Sequence, residues 1–275
     1  MITEARIHDT FVPKMPDINV GDTVDDSEGK SYRVVKKNIG EGFHSHVHLL
    51  EKITPTPVPS HSKVNTLYVL KQPKYHANNR ELTLRHIHSI KEEVETLVPR
   101  WKEAGAVDQS FEAYVDESGL GNIKTFIQGV SGREAMLNPE FWSHESTQKK
   151  QLISLFQSFI EQSLFIGDLA PDNFIYDGER FQVIDSGGIK GMSSQYAAAM
   201  LYKGVDVDAQ EKNYFTGKSL EVKWSKFVVR LSASEIASVL NKSQSEITSA
   251  DRSTVKNLFN RLLKEITAPY LKPVK

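Results

Sequence analysis

A chain of 275 residues with 39% hydrophobic and 25% charged residues is typical of a globular protein with one large domain or two modest lobes. The absence of cysteine excludes a disulfide scaffold, cysteine-ligated zinc and a cysteine nucleophile. A formal net charge of -1 gives no overall field to attract nucleic acid or an anionic membrane, and we expect no nucleic acid as a partner. The sequence has no apolar run long enough for a transmembrane segment, and its first residues lack the pattern of a cleavable signal peptide.

The first half of the chain is predicted to consist mainly of strands. Residues 1–30 are polar and are predicted to form an N-terminal extension. Alternating apolar residues predict strands at 31–38, in the HVHLLEK segment that follows Gly42, and at 66–72. Apolar residues at helical spacing predict a helix over 80–98. Two further segments, FEAYVDE and NIKTFIQ, predict a hairpin that turns at Ser118 and Gly119.

The second half, after Gly129, is predicted to be mainly helical. Ser143 is a candidate N-cap for a helix with an apolar stripe, and Ser232 with Glu235 predicts a capping box. Two short strands, NFIYD and FQVID, are separated by Gly178. This segregation of strands and helices predicts an α+β fold with a strand-rich lobe at 31–129 and a helical lobe at 130–275.

Residues 167–188 carry three oxygen-bearing side chains at a distinctive spacing. Asp168 is followed by Asn173 after five residues and by Asp185 after twelve more. Phosphoryl transfer needs a carboxylate to orient the attacking hydroxyl and oxygen ligands to hold magnesium against the phosphates. The predicted hairpin between Asn173 and Asp185 would bring these two residues together. The pattern therefore favours a phosphotransferase.

This stretch resembles the catalytic and magnesium-binding loops of the protein-kinase-like superfamily. The resemblance implies a two-lobed kinase-like fold, with Asp168 as catalytic base and with Asn173 and Asp185 as metal ligands. It also implies ATP and Mg²⁺ as the bound cofactors. The Gly167-Asp168 pair is more similar to aminoglycoside and lipopolysaccharide kinases than to typical protein kinases.

The first half contains segments similar to the remaining parts of that family. Gly40, Gly42 and Val47 have the spacing of a glycine-rich phosphate loop, with Ser45 where a third glycine is usual. Lys71 ends a YVLK segment that resembles the strand whose lysine holds the α- and β-phosphates.

Two more positions follow from the same resemblance. In the next helix, Glu93 is the best match to the glutamate that fixes that lysine, with Glu92 as the alternative. Phe126 and Ile127, in the segment FIQG, resemble the connector behind which adenine binds.

The departures from the family pattern are also informative. Gly167 replaces the arginine that docks a phosphorylated activation loop, so we expect activity without such phosphorylation. Ser186 replaces the usual phenylalanine of the Asp-Phe-Gly triplet, and no Ala-Pro-Glu follows within thirty residues of Asp185. His44, His46 and His48 alternate along one strand, and we interpret them as an exposed strand face rather than a metal site.

The short helical lobe and the catalytic loop without arginine resemble compact bacterial effector kinases, which are delivered into host cells by type III secretion. The resemblance implies an ATP- and Mg-dependent kinase that phosphorylates serine or threonine of a protein, located in the cytoplasm or secreted into a host cell. Two alternatives remain open: a small-molecule kinase of the aminoglycoside or sugar type, and a pseudokinase that serves as an interaction module. The oligomeric state is not predicted.

Overall fold

The computed structural model describes residues 16–41, 45–53, 66–74, 80–161, 164–166, 170–185, 189–191 and 227–269. The fold is α+β, with a curled antiparallel sheet and several helices. The chain divides into two units. The first unit runs to Pro99 and continues over Ser110–Phe126, and the second comprises Arg100–Gln109 and the chain from Ile127 onward. The sequence had placed the division between residues 129 and 130.

The first unit is built on one antiparallel sheet of six strands. In chain order the strands are β1 (Thr23–Asp25), β2 (Ser31–Glu41), β3 (Ser45–Lys52), β4 (Leu67–Pro73), β5 (Ala113–Val115) and β6 (Asn122–Thr125). Their order across the sheet is β1-β2-β3-β4-β6-β5. The hairpin of β5 and β6 therefore joins the sheet through its second strand, and its turn contains Gly119 in a left-handed conformation with φ of 69°.

Alternation along these strands gives the sheet one apolar face. Since successive side chains point to opposite sides, every second residue of β2, β3 and β4 contributes to the same core. The buried residues of this core are Ile18, Tyr32, Val34, Leu50, Tyr68, Leu70 and Ile123. The rings of Tyr32 and Tyr68 meet edge to face, with centroids 5.0 Å apart.

Residues 23–25, within the predicted N-terminal extension over 1–30, belong to this sheet. β1 pairs with β2, and Asp26 forms a bridge to Asp116 beyond the opposite edge strand. The Ser27 N–H donates to the Val115 carbonyl at 2.9 Å, and the Glu117 N–H donates to the Asp25 carbonyl at 2.8 Å. The two edges of the sheet thus meet at one end, which curls the sheet around its core.

One continuous helical segment follows β4. It consists of α1 (Arg80–Glu92), a π turn (Glu93–Leu97) and α2 (Val98–Glu103). The Asn122 side chain of β6 donates to the Ile90 carbonyl of α1 at 3.3 Å, which fixes the helix against the sheet. The sequence predicted a helix here but not the π turn, a one-turn widening that occurs frequently at functional sites.

The second unit combines helices with two small sheets. Its helices are α3 (Gly132–Leu137), α4 (Thr147–Glu161), α5 (Ala233–Leu240) and α6 (Ser249–Thr267), and its strands are β7 (Val130–Ser131), β8 (Leu164–Ile166), β9 (Phe174–Tyr176), β10 (Phe181–Val183) and β11 (Ile189–Gly191). One sheet has the order β10-β9-β7 and the other pairs β11 with β8. Residues 100–109 belong to this unit because the Val183 N–H donates to the Ala106 carbonyl at 2.9 Å.

Of the two helix caps predicted from the sequence, one is present and the other is not. The predicted capping box of Ser232 and Glu235 is present at the start of α5. The predicted N-cap Ser143 is wrong, because the Ser146 hydroxyl, one residue before α4, accepts from the Lys149 N–H at 3.2 Å. Across the described ranges, no helix combines the length and the apolar character needed to cross a membrane.

Candidate functional site

Three predicted nucleotide-binding residues lie in one row across the sheet of the first unit. Gly40 of β2 pairs with Val47 of β3, Val47 pairs with Lys71 of β4, and Lys71 pairs with Asn122 of β6. Paired residues share one face of a sheet, and neighbouring strands are about 4.8 Å apart. Four strands therefore present this row on the face opposite the apolar core.

Lys71 forms an ion pair with the glutamate that the sequence favoured. Its Nζ atom lies 3.2 Å from Oε2 of Glu93. Glu93 is 4% exposed, whereas Glu92, the alternative, is exposed. The π turn begins at Glu93, and the helical segment places this carboxylate over the row that contains Lys71.

The other predicted nucleotide-binding positions differ in how far they are described. Ser45 is buried at the start of β3, and Gly42 lies outside the described residues. Phe126 is half-buried in the first unit, and its N–H donates to the Leu67 carbonyl at 2.9 Å. Ile127 is half-buried and begins the later segment of the second unit.

Lys124 is a residue of this site that the sequence did not predict. It lies on β6 opposite Val69, two residues before Lys71 on β4, so it shares the face of Lys71. It is 5% exposed and forms an ion pair with Oε1 of Glu93. A lysine between Ile123 and Thr125 has the pattern of a solvent-facing residue. The burial of Lys124 follows from the pairing of β6 with β4 at the centre of the sheet, which the local sequence does not reveal.

The second unit carries Asn173 and Asp185 at one end of a hairpin. In the ladder of β9 and β10, Phe174 lies opposite Val183 and Tyr176 lies opposite Phe181. The Ile184 N–H extends this ladder by donating to the Asn173 carbonyl at 3.0 Å. Asp185 follows directly, and both side chains are half-buried. The hairpin thus brings the chain at Asn173 next to the chain at Asp185, as the spacing had predicted.

A second ladder flanks the remaining candidate. β8 and β11 are antiparallel, with Ile166 opposite Ile189. The chain just before residues 167–169 therefore runs beside the chain just after residues 186–188. Asp168, Gly167 and Ser186 lie within these two segments, outside the described residues.

Close packing supports the position of this hairpin. A Cβ atom on Gly129 would lie 2.1 Å from the Tyr176 carbonyl oxygen, and one on Gly132 would lie 2.6 Å from the Pro171 carbonyl oxygen. No side chain fits at such distances, so glycine is required at both positions. The two glycines that marked the predicted boundary allow the chain to pass directly against the segment containing Asn173.

The oxygen donors in the second unit fit magnesium. A carboxylate and a side-chain amide supply the hard oxygen ligands that Mg²⁺ prefers, and water completes its octahedral shell in many proteins. Asn173 and Asp185 carry these two groups, on backbone segments that the hairpin holds side by side. Within the described ranges, no group of three or more His, Cys, Asp or Glu side chains is arranged to hold a metal ion.

The predicted exposed face of histidines is wrong for His48. Its side chain is 2% exposed and lies on the core face of β3, and His46 is half-buried. Burial lowers the pKa of His48, and His46 and Lys37 lower it further. His44 lies outside the described residues.

No protein-family model matches this sequence, and no curated protein matches it.

Proposed function

We propose that this chain is an ATP- and Mg²⁺-dependent phosphotransferase with a two-lobed protein-kinase-like fold. The observation that carries this proposal is the buried ion pair between Lys71 and Glu93, at 3.2 Å. A charge pair removed from water is costly unless the geometry is well satisfied, so such pairs frequently serve a specific role. Here the lysine end of the pair is the more exposed, with 17% of the Lys71 side chain open to solvent against 5% for Glu93.

The surroundings of Lys71 suit a polyanionic ligand. In the proposed role, Lys71 donates to the α- and β-phosphates of ATP, while the backbone near Gly40 approaches the phosphates from the neighbouring strands. Gly40 has no close neighbour that would exclude a larger residue, since the nearest side-chain atom to an added Cβ is 3.7 Å away. A glycine at this position would let the phosphates approach the backbone closely.

The residues of the second unit complete the proposed chemistry. Asn173 and Asp185 would hold Mg²⁺, which neutralises phosphate charge when bound. Asp168 would accept the proton of the acceptor hydroxyl and orient it for attack on the γ-phosphorus. The phosphoryl group would then pass to that hydroxyl and ADP would leave. Positioning and charge stabilisation by these side chains would supply most of the rate.

We propose a protein serine or threonine hydroxyl as the acceptor. This choice is supported by the sequence resemblance to compact effector kinases. The same resemblance supports a cytoplasmic location or delivery into a host cell. The chain offers no large net charge for other polyanions, with a formal value of -1.

The test is transfer of labelled phosphate from ATP in the presence of Mg²⁺, with the purified protein alone and with a cell lysate. Lys71→Met and Asp185→Ala should each reduce labelling by about a hundredfold or more, because Lys71 would stabilise the phosphates directly and Asp185 would do so through the Mg²⁺ that it holds. Lys36→Met and Glu179→Ala are matched controls. Lys36 is exposed in the same sheet as Lys71, and Glu179 is exposed at the turn of the hairpin that precedes Asp185. Both controls should label as the wild type does.

The other outcomes separate the alternatives. Turnover that requires an aminoglycoside or sugar, without labelled protein bands, would replace the protein acceptor by a small molecule. An absence of turnover together with an absence of ATP binding would leave the interaction module, and the proposed phosphotransferase would be rejected.

A further inference from the structure

The Glu93 carboxylate is shared by two lysines that come from different strands. Lys71 of β4 contacts Oε2 and Lys124 of β6 contacts Oε1. Each lysine thus has its own oxygen, and both contacts exist together. The Glu93 carboxylate therefore carries one negative charge between two lysine ammonium groups.

The two lysines differ in exposure. The Lys124 side chain is 6% exposed, close to the 5% of Glu93, whereas the Lys71 side chain is 17% exposed. Lys124 also lies on β6, whose neighbours Ile123 and Asn122 are both fully buried. Lys71 is therefore the partner that a ligand can reach, and Lys124 is the partner held inside the unit.

This difference matters when a ligand competes for Lys71. A buried carboxylate that loses its cation bears the full penalty of an unpaired charge in a poorly solvated site. If Glu93 had Lys71 alone, drawing the ammonium group of Lys71 toward a phosphate would weaken the one ion pair of a buried carboxylate. A second, buried cation on the other oxygen keeps Glu93 paired while Lys71 contacts both Glu93 and a phosphate.

We propose that Lys124 is a positioning residue that keeps Glu93 paired and in place while Lys71 binds the phosphates of a nucleoside diphosphate or triphosphate. The inference rests on the proposed function, because Lys71 is taken there as the phosphate ligand. It adds a residue to the site and a reason for a lysine at a buried strand position.

The test is the dissociation constant of ADP, measured by calorimetry with the full-length protein and without any turnover. Lys124→Met should weaken ADP binding about tenfold, because Glu93 then retains Lys71 in competition with the phosphates. In a Glu93→Gln background the same substitution should change ADP binding by less than about twofold, since a neutral amide has no charge to leave unpaired. A merely structural role would weaken binding equally in both backgrounds.

Two further variants secure the interpretation. Lys149→Met removes another largely buried lysine, 13% exposed and paired with Glu265 in the second unit, and should leave ADP binding unchanged. If Lys124→Met does not fold, judged by thermal melting, Lys124→Gln takes its place, since glutamine keeps a donor to Glu93 without the charge.

The outcomes distinguish this inference from the function on which it rests. Wild-type protein that binds neither ADP nor inorganic pyrophosphate would overturn both. Wild-type protein that binds ADP, with Lys124→Met binding equally well, would overturn the inference alone. Equal weakening in the wild-type and Glu93→Gln backgrounds would also overturn it.

Discussion

The buried imidazole of His48 makes the stability of the first unit depend on pH. The imidazole is 2% exposed, and neither of its nitrogens has a hydrogen-bond partner among the described residues. Burial is the main cause of its lowered pKa, and the nearby His46 and Lys37 act in the same direction. The folded state therefore favours the neutral ring, whereas the unfolded chain takes up a proton near the ordinary pKa of 6.5.

We predict that the wild-type protein loses stability as the pH falls below 6.5, and that His48→Leu removes part of this loss. Above the ordinary pKa both states are neutral at this position, so the contribution is then fully present. Melting temperatures between about pH 5 and about pH 7.5 would measure it. An identical slope in His48→Leu and in the wild type would contradict the prediction.

At the scale of elements, the stability of α5 depends on the hydrogen bonds of Glu235 in its first turn. The Ser232 N–H donates to Glu235 at 2.8 Å, and Arg133 of α3 donates to the same side chain at 2.6 Å. The backbone hydrogen bond and Arg133 lower the pKa of Glu235 to about 2, against an ordinary value of 4.5. The stabilisation is therefore present above pH 4.5 and is lost as the pH falls toward 2.

Glu235→Gln should lower the free energy of unfolding by about 1 kcal/mol at neutral pH, through loss of the charged half of the capping box. Below about pH 3 the difference from the wild type should shrink, since the wild-type carboxyl is then largely protonated in the unfolded chain and increasingly so in the folded one. Urea unfolding at both pH values is the measurement. Glu140→Gln is the control at an exposed position, and a difference independent of pH would argue against the prediction.

Strands with an apolar pattern beside turn residues were predicted from the sequence, whereas β1, β7, β8 and β11 were not. Alternation of apolar residues identified β2, β3 and β4, and turn residues between short apolar runs identified the hairpins of β5 with β6 and of β9 with β10. β7 contains only two residues, and β1, with the sequence TVD, has a single apolar residue, so neither shows a period. The π turn leaves the apolar spacing almost unchanged. The pairing of Lys71 with Glu93 came from the family resemblance, whereas Lys124 required the strand order, which no local pattern contains.

At the scale of the whole molecule, closure of the sheet depends on Asp26. Its carboxylate accepts from the Glu28 N–H at 2.9 Å, from the Lys30 N–H at 3.0 Å and from the buried Tyr32 hydroxyl at 2.8 Å. Its backbone bridges to Asp116 at the far edge strand. The Asp26 side chain therefore stabilises the turn between β1 and β2, at the point where the chain bridges to the strand at the opposite edge of the sheet.

We predict that Asp26→Ala lowers the free energy of unfolding by roughly 2 kcal/mol, because the Tyr32 hydroxyl and two backbone N–H groups lose their acceptor. Amide exchange should accelerate in β1 and β5 before it does so in β4. Asp17→Ala, whose side chain is 85% exposed, should change stability by less than about 0.5 kcal/mol. Unchanged exchange at both edges would mean that the bridge is not required for closure.

The division into two units also divides the chromophores of the protein. All three tryptophans, Trp101, Trp142 and Trp224, fall within the residue ranges of the second unit, and the first unit has tyrosines but no tryptophan. Indole emission from Trp101 and Trp142, the two tryptophans among the described residues, therefore reports on the second unit. A tryptophan placed at Val20, an exposed position of the first unit, would supply the missing signal, and the two units could then be followed as they unfold in the same sample.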